Sequence, residues 1–313
     1  MYIFIPILSI LFVILLISYI VFRKTFLFTK EASCNLYHGL DGDLDEINAK
    51  KRFLIERLDG IPYRDVYIKS YDGLTLHARY YHSSDDAALA IQFHGYKSMA
   101  GKDFSGGAYE FISRNQNVLL VDQRAHGKSD GSVITFGVKE RQDVKSWINY
   151  SIETFGKEVK IILYGVSMGA ATVIMASELS LPENVVGIVA DCPYSSPREI
   201  LKKVIRDMRL PANLLYPFVR LGALIYGRFD PDSASPVSAV KNTDIPILII
   251  HGDGDDFVPH QMSEKIKDSG DTVTFVKIKD ATHALSYIYD YDRYMGALIE
   301  FIKNVLGDKN EKL

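Results

Sequence analysis

Short apolar runs recur along the chain between longer amphipathic stretches. Six of them are unbroken and rich in β-branched residues: LAIQFHG, NVLLVDQR, VKIILYG, VVGIVADC, IPILIIHG and TVTFVKIK. Such runs are typical of strands that are buried on both faces of a parallel sheet. Upstream, DVYIKS and LTLHARYYH alternate between apolar and polar positions, and the Asp-Gly pair at 72–73 between them predicts an antiparallel hairpin. The pattern therefore predicts eight strands.

Two stretches between the strands, VKERQDVKSWINYSIETFG and MGAATVIMASEL, are predicted helices. Strands that alternate with helices predict an α/β fold, in which helices cover both faces of a mostly parallel, eight-stranded sheet. The interval 194–243 breaks this alternation, because an ordinary connection needs only one helix. Its apolar segment LLYPFVRLGALIYGRF predicts additional helices. We expect this insertion to form a lid, and a helix that contacts a partner or a membrane is the alternative.

The N-terminal residues 1–22 contain no charged side chain and are followed by Arg23 and Lys24. At about 1.5 Å of rise per residue, a helix of this length crosses the ~30 Å hydrocarbon layer of a bilayer. We expect a retained transmembrane anchor rather than a cleaved signal peptide, because no basic region precedes the run and no small-x-small site follows it. The basic residues Arg23, Lys24 and Lys30 then predict a single-pass membrane protein with its catalytic domain in the cytoplasm.

The remaining chain divides into a connecting segment and one domain. Residues 23–60 connect the N-terminal anchor to the domain and include LDEINAKKRFLIERLDG, whose apolar residues have helical spacing. Residues 61–313 are long enough for a single α/β domain with one large core. A net charge of −3 predicts no nucleic-acid partner. The two cysteines, Cys34 and Cys192, are too few for a disulfide framework and fit a reducing compartment.

The stretch YGVSMGAA places Ser167 directly after a predicted strand and before a predicted helix. A sharp strand–turn–helix junction, with Gly165 and Gly169 on either side of the serine, exposes the serine hydroxyl above the edge of a sheet. An ordinary tight turn that contains a serine is the alternative. A serine hydroxyl becomes a nucleophile when a base takes its proton and an acid orients that base. The Met168 backbone N–H, which follows the serine, is a candidate donor to an oxyanion.

Candidate acids and a candidate base follow the later strands. Asp253, Asp255 and Asp256 come after IPILIIHG, whereas Asp191 ends an earlier strand. His283 follows the last predicted strand, which gives the order Ser, Asp, His found in α/β-hydrolases. Four other histidines lie at strand or loop boundaries or at a helix start, where structural hydrogen bonding is the usual role: His94, His126, His251 and His260.

Three segments resemble motifs of the α/β-hydrolase superfamily. HGDGDDFVP resembles its H-G-x-x-D-x-x-V-P pattern, QFHGYKS its His-Gly-x oxyanion loop and VDQRAHGKSDG its D-x-R-x-x-G-x-S loop. Over residues 64–307 the chain is similar to the serine-aminopeptidase-like and monoacylglycerol-lipase-like branch, and its N-terminal run looks like that of bacterial membrane-tethered members. The resemblance implies a Ser167–His283–Asp255 triad, with Tyr96 and Met168 supplying oxyanion N–H groups. It further implies that three residues fix a loop rather than take part in catalysis: Asp122, Arg124 and Ser129.

The sequence thus predicts a membrane-anchored serine hydrolase that cleaves carboxylic esters through an acyl-enzyme. We expect no cofactor and no metal, because the acidic stretches lack the spacing of a calcium loop and no nucleotide-binding glycine loop follows a strand. The apolar insertion and the anchor favour a lipid-like ester, such as a monoacylglycerol or lysophospholipid, over another small-molecule acyl substrate. An aminopeptidase of the same fold and a catalytically silent binding scaffold are the alternatives.

Overall fold

The predicted eight-stranded sheet is confirmed. The computed structural model of the protein describes residues 4–28 and 46–307, with side chains from Leu8 onwards, so that Cys34 and much of the predicted connecting segment lie outside the described residues. The strands are β1 (Arg64–Lys69), β2 (Thr75–Tyr81), β3 (Leu89–Phe93), β4 (Asn117–Asp122), β5 (Ile161–Val166), β6 (Val185–Asp191), β7 (Ile247–Gly252) and β8 (Val273–Ile278). Their order across the sheet is β1-β2-β4-β3-β5-β6-β7-β8.

The first two strands form the predicted antiparallel hairpin, and β2 also pairs antiparallel with β4. All other neighbours are parallel. In this register Phe93 of β3 lies beside Gly165 of β5, and Asp191 of β6 lies beside Val166 of β5 and Ile250 of β7. Because the parallel strands all end at one edge of the sheet, the loops after β3, β5, β7 and β8 meet there.

The helices are α1 (Phe4–Thr25), α2 (Glu46–Asp59), α3 (Ala100–Asp103), α4 (Ser105–Ser113), α5 (Glu140–Phe155), α6 (Met168–Ala176), α7 (Pro197–Asp207), α8 (Ala212–Gly222), α9 (Pro236–Ala239), α10 (Gln261–Lys267), α11 (Ser286–Tyr289) and α12 (Tyr291–Leu306). Side chains of α5 and α6 share a buried cluster with Leu163 of β5. Those of α4 and α12 share a second cluster with Ile162. Consecutive residues of β5 therefore face two cores, which explains why its apolar run is unbroken.

Residues 194–243 contain α7, α8, a π-helical turn at Ala223–Gly227 and the short α9. This insertion packs against α1. Gly222, at the end of α8, lies so close to α1 that an added Cβ would be 2.5 Å from the Ser18 carbonyl oxygen. The Tyr226 ring lies against Tyr19 and Phe22 of α1, and its hydroxyl donates to the Leu15 carbonyl at 3.2 Å. The N-terminal helix and the insertion are thus one packed unit.

Candidate active site

Ser167 occupies a strained junction between β5 and α6. Its backbone has φ 54° and ψ −113°, a conformation that non-glycine residues rarely adopt. The flanking glycines are needed for space. A Cβ on Gly169 would overlap the Phe93 carbonyl oxygen and lie 2.7 Å from the His94 carbonyl oxygen, and a Cβ on Gly165 would overlap the Gly169 carbonyl. The serine carries the unusual torsion itself, and the glycines allow α6 to approach the ends of β3 and β5.

The structure brings together the three residues that the sequence analysis singled out. The Oγ of Ser167 lies 3.0 Å from Nε2 of His283, and Nδ1 of His283 lies 2.6 Å from Oδ2 of Asp255. Ser167 and Asp255 are buried, whereas His283 is partly exposed. The imidazole thus lies between a hydroxyl and a carboxylate, where it can accept the hydroxyl proton while its other nitrogen donates to Asp255.

Asp255 is surrounded by hydrogen-bond donors. Its Oδ1 accepts from the backbone N–H groups of Phe257 (2.9 Å) and Val258 (2.8 Å), and its Oδ2 accepts from His283 and from Nε2 of His251 (3.1 Å). Burial by itself would raise the pKa of the Asp255 carboxyl, but the hydrogen bonds from His251 and His283 outweigh it and hold the pKa well below its usual range. The carboxylate therefore stays ionised beside the imidazole.

The other candidate acids have different surroundings. Asp191 lies beneath the site, where its Oδ2 accepts from the Tyr294 hydroxyl at 3.0 Å and its Oδ1 has no partner among the described residues. Burial raises the pKa of this carboxyl to about 6. Asp253 accepts from the Asp280 backbone N–H at 2.6 Å and fixes a turn, and Asp256 is exposed. Of these carboxylates, Asp255 is the one that bonds to His283.

The loop at residues 95–98, which follows β3 and which we call the oxyanion loop, lies directly against Ser167. A Cβ on Gly95 would be 3.4 Å from the Ser167 Cβ. The Gly95 N–H donates to Oδ2 of Asp103 at 2.7 Å, and the Tyr96 N–H has no acceptor among the described residues. Met168 begins α6, so its N–H has no helical carbonyl to bond. The backbone N–H groups of Tyr96 and Met168 are thus unpaired candidates for oxyanion donors among the described residues.

Two of the remaining histidines hold this loop. Nε2 of His126 accepts from the Lys97 N–H at 3.1 Å, and its Nδ1 bonds the Arg124 carbonyl at 2.9 Å. Burial, with a smaller contribution from His94, lowers the pKa of His126 to about 3, so its ring stays neutral. Nδ1 of His94 donates to the Gly95 carbonyl at 2.8 Å, and its Nε2 accepts from the Gln123 N–H at 3.1 Å. These contacts are structural.

His251 belongs to the site, although the sequence analysis gave it only a structural role. Besides its contact with Asp255, its Nε2 lies 2.8 Å from the Val258 carbonyl and its Nδ1 lies 2.7 Å from the Ser263 hydroxyl. The ring is fully buried. Its position four residues before Asp255, at the end of β7, was the available signal, but periodicity alone does not reveal which way a strand-end histidine points.

An apolar cluster of buried side chains includes Met168, the residue that follows Ser167. Met168 and Tyr194 share this cluster with Phe22 of α1, with Phe26 just after α1 and with Phe229 from the insertion. The Phe26 ring packs edge-to-face on Phe229 at 5.2 Å. The N-terminal helix therefore contributes to the apolar cluster that contains the residue next to Ser167.

One group of possible metal ligands occurs among the described residues, formed by Cys192, Asp255 and His283. Asp255 and His283 already bond to each other, and burial raises the pKa of the Cys192 thiol well above its usual range, which disfavours the thiolate that a metal needs. We assign no metal or cofactor to these residues.

Known proteins share this fold and part of this sequence. The family described as serine aminopeptidase, S33, matches residues 84–235, a little under half of the chain. The esterase Pf2001 of Pyrococcus furiosus is structurally similar, with a TM-score of 0.64 and 25% sequence identity over 80% of this chain and 94% of the esterase.

Two bacterial relatives match a similar part of the chain. The uncharacterised protein YqkD of Bacillus subtilis is 27% identical over 204 residues, which cover 64% of this chain and 66% of the relative. The uncharacterised protein YfhR of Escherichia coli is 26% identical over 202 residues, covering 63% of this chain and 64% of the relative. The chain thus spans just under two thirds of the length of these two relatives.

Proposed function

Because this chain belongs to the α/β-hydrolase superfamily, on its S33-like branch, we propose that it is a serine hydrolase that cleaves carboxylic esters through an acyl-enzyme. The observation that carries the proposal is the hydrogen-bonded series of Ser167, His283 and Asp255, in which neither heavy-atom distance exceeds 3.0 Å. The similarity to an esterase supports the choice of substrate bond.

In the proposed reaction, Oγ of Ser167 attacks the ester carbonyl while Nε2 of His283 takes the hydroxyl proton. Asp255 holds the imidazole through Nδ1 and stabilises the imidazolium that forms. The N–H groups of Tyr96 and Met168 donate to the tetrahedral oxyanion. When the intermediate collapses, His283 returns the proton to the leaving alkoxide. A water molecule, deprotonated in turn by His283, then releases the acid and restores Ser167.

We propose a lipid-like acyl substrate drawn from a membrane that α1 enters. Among the described residues, Leu8–Thr25 is the helical segment long and apolar enough to cross a bilayer. The insertion contacts this segment at Ser18, about 10 Å along the helix axis from Thr25. If α1 spans the bilayer, the end of α8 lies within the part of the hydrocarbon layer that is nearest to the hydrolase domain. The exposed side chains of Leu224 and Ile225, next to this contact, support such a position.

The basic residues Arg23 and Lys24, in the last turn of α1, support a membrane orientation with the hydrolase domain on the cytoplasmic side. Carbonate extraction of membranes, followed by protease digestion of sealed and opened vesicles, tests both statements. Release of the full chain by carbonate, or digestion of the domain in sealed right-side-out vesicles, would contradict them.

Labelling with a fluorescent fluorophosphonate tests the nucleophile. The purified full chain should react, Ser167→Ala should not, and His283→Ala should react far more slowly. Ser113→Ala, which changes an exposed serine on α4, is the matched control and should label like the wild type. A folded wild type that does not label would favour the binding-scaffold alternative.

Substrate class is tested with a series of nitrophenyl esters from two to sixteen carbons, beside aminoacyl nitroanilides. We expect kcat/KM to rise with acyl length. Equal rates along the series would contradict the lipid-like substrate, and faster cleavage of the anilides would favour the aminopeptidase that the S33 match also suggests.

A further inference from the structure

The C-terminal end of α1 is docked on the oxyanion loop. The Tyr96 hydroxyl donates to the Thr25 carbonyl at 2.7 Å, and Nζ of Lys97 lies 3.4 Å from the Lys24 carbonyl. The last carbonyls of a helix have no partner within the helix, and the negative end of the helix dipole attracts a cation. The loop that supplies a candidate oxyanion donor therefore also caps the apolar N-terminal helix.

The chain beyond α1 holds this end of the helix in place. The Ile134 N–H donates to the Phe26 carbonyl at 2.8 Å, and the Phe28 N–H donates to the Ser132 carbonyl at 2.9 Å, as a short antiparallel bridge. The Phe26 side chain is fully buried. The Thr25 carbonyl is consequently a rigid acceptor and not part of a loose tether.

Tyr96 is held on three sides. Its neighbours are fixed through their backbones, Gly95 by Asp103 and Lys97 by His126, and Lys97 has a left-handed φ of 52°. The Tyr96 ring lies against Phe136 at 5.0 Å. Burial raises the pKa of the Tyr96 hydroxyl to about 12, so at neutral pH the group keeps the proton that it donates to Thr25.

We propose that the Thr25 carbonyl at the end of α1 helps to position the oxyanion donor: by fixing the Tyr96 side chain, it restricts the remaining freedom of the Tyr96 backbone N–H between the anchored residues Gly95 and Lys97. Tyr96 is thus a positioning residue through its hydroxyl, in addition to the backbone role proposed above. This inference rests on the proposed function. It couples the seating of the apolar helix to the rate of acyl transfer, because an oxyanion donor works only within a narrow geometry.

The test uses the full chain in detergent or nanodiscs and compares two tyrosines that bond to the same helix. Tyr96→Phe removes the hydroxyl that reaches Thr25. Tyr226 lies in the π-helical turn, and its hydroxyl donates to the Leu15 carbonyl at 3.2 Å. Tyr226→Phe removes this hydroxyl and serves as the matched control. Active sites are titrated with a fluorophosphonate. For a short, soluble ester, kcat is calculated per titrated site, so that misfolded protein does not count, and KM is measured in the same assay.

We expect Tyr96→Phe to lower kcat about tenfold with KM within twofold of the wild type, the cost of one hydrogen bond expressed in the transition state. Tyr226→Phe should keep both constants within twofold. Unchanged kcat in Tyr96→Phe would overturn the inference and leave the proposed function intact, as would an equal loss in both variants, which indicates general loosening of α1. A wild type without esterase activity or labelling would overturn both proposals.

Discussion

The close approach of α6 to the end of β3 makes a sharp prediction for Gly169→Ala. The added Cβ would overlap the Phe93 carbonyl oxygen and lie 2.5 Å from the Phe93 carbonyl carbon, where an ordinary carbon–carbon contact needs about 3.5 Å. The two backbones must therefore separate by about 1 Å. Phe93 is almost fully buried in the middle of the sheet, so its strand cannot move outward.

Such a substitution overfills a close-packed region, which costs 1–3 kcal/mol and occasionally more. We take about 3 kcal/mol, since backbone rather than a flexible side chain must move. Destabilisation by 1 kcal/mol lowers the Tm of a domain of this size by roughly 2–4 °C, so Tm should fall by about 6–12 °C. The same shift moves the oxyanion loop relative to Ser167, and a 1 Å misplacement of catalytic groups costs on the order of 100-fold in rate.

Gly296→Ala is the matched control. Gly296 lies exposed within α12, and an added Cβ would meet nothing within 4 Å. Alanine is favoured over glycine in a helix interior by about 1 kcal/mol, so this variant should be slightly more stable than the wild type. The same chemical change is thus expected to have opposite signs at the two positions.

Both variants are compared with the wild type by thermal unfolding, followed through the fluorescence of Trp147, the chain's single and fully buried tryptophan. Fluorophosphonate labelling per folded molecule reports the site. If Gly169→Ala unfolds at the wild-type temperature and labels fully, the close approach does not require glycine and the reasoning is wrong.

Three further predictions concern the surroundings of the site. Asp255→Asn should lower kcat for a soluble ester by about 10³–10⁴-fold, whereas Asp191→Asn should change it less than tenfold; the reverse ranking would make Asp191 the functional acid. His251→Phe should lower kcat/KM by about 10–100-fold, because Asp255 loses a hydrogen bond to a charged acceptor, and a wild-type value would show that the contact does not matter. Burial raises the pKa of Asp191 to about 6, so between pH 4 and 6 the folded chain holds a proton there that the unfolded chain, near 3.8, has released. Stability measured by thermal unfolding should therefore fall as the pH rises through this range, and Asp191→Asn should remove that part of the fall; an identical pH profile would refute it.

Much of the fold was readable from local pattern, for a physical reason. A strand that is buried on both faces carries apolar side chains at consecutive positions, so its sequence is an unbroken apolar run, as in β5. The Ser167 junction is also predictable from the sequence, because the glycines beside it are required by close contacts with residues nearby in the chain or with the adjacent strand. The left-handed torsion of Ser167 itself has no sequence signature beyond this setting.

The partners across the site were decided only by the tertiary structure. The sequence pattern offers several carboxylates after the strands, and the family resemblance favours Asp255. The packing of β7 beside β8 brings Oδ2 of Asp255 to 2.6 Å from Nδ1 of His283, whereas Asp191 bonds to the Tyr294 hydroxyl. The role of His251 followed from the same packing. The bond between Tyr96 and Thr25 joins residues 71 positions apart. Hydrophobic periodicity reports which side chains are buried, but the partner that each polar group finds depends on how whole elements pack, and no local stretch of sequence contains that information.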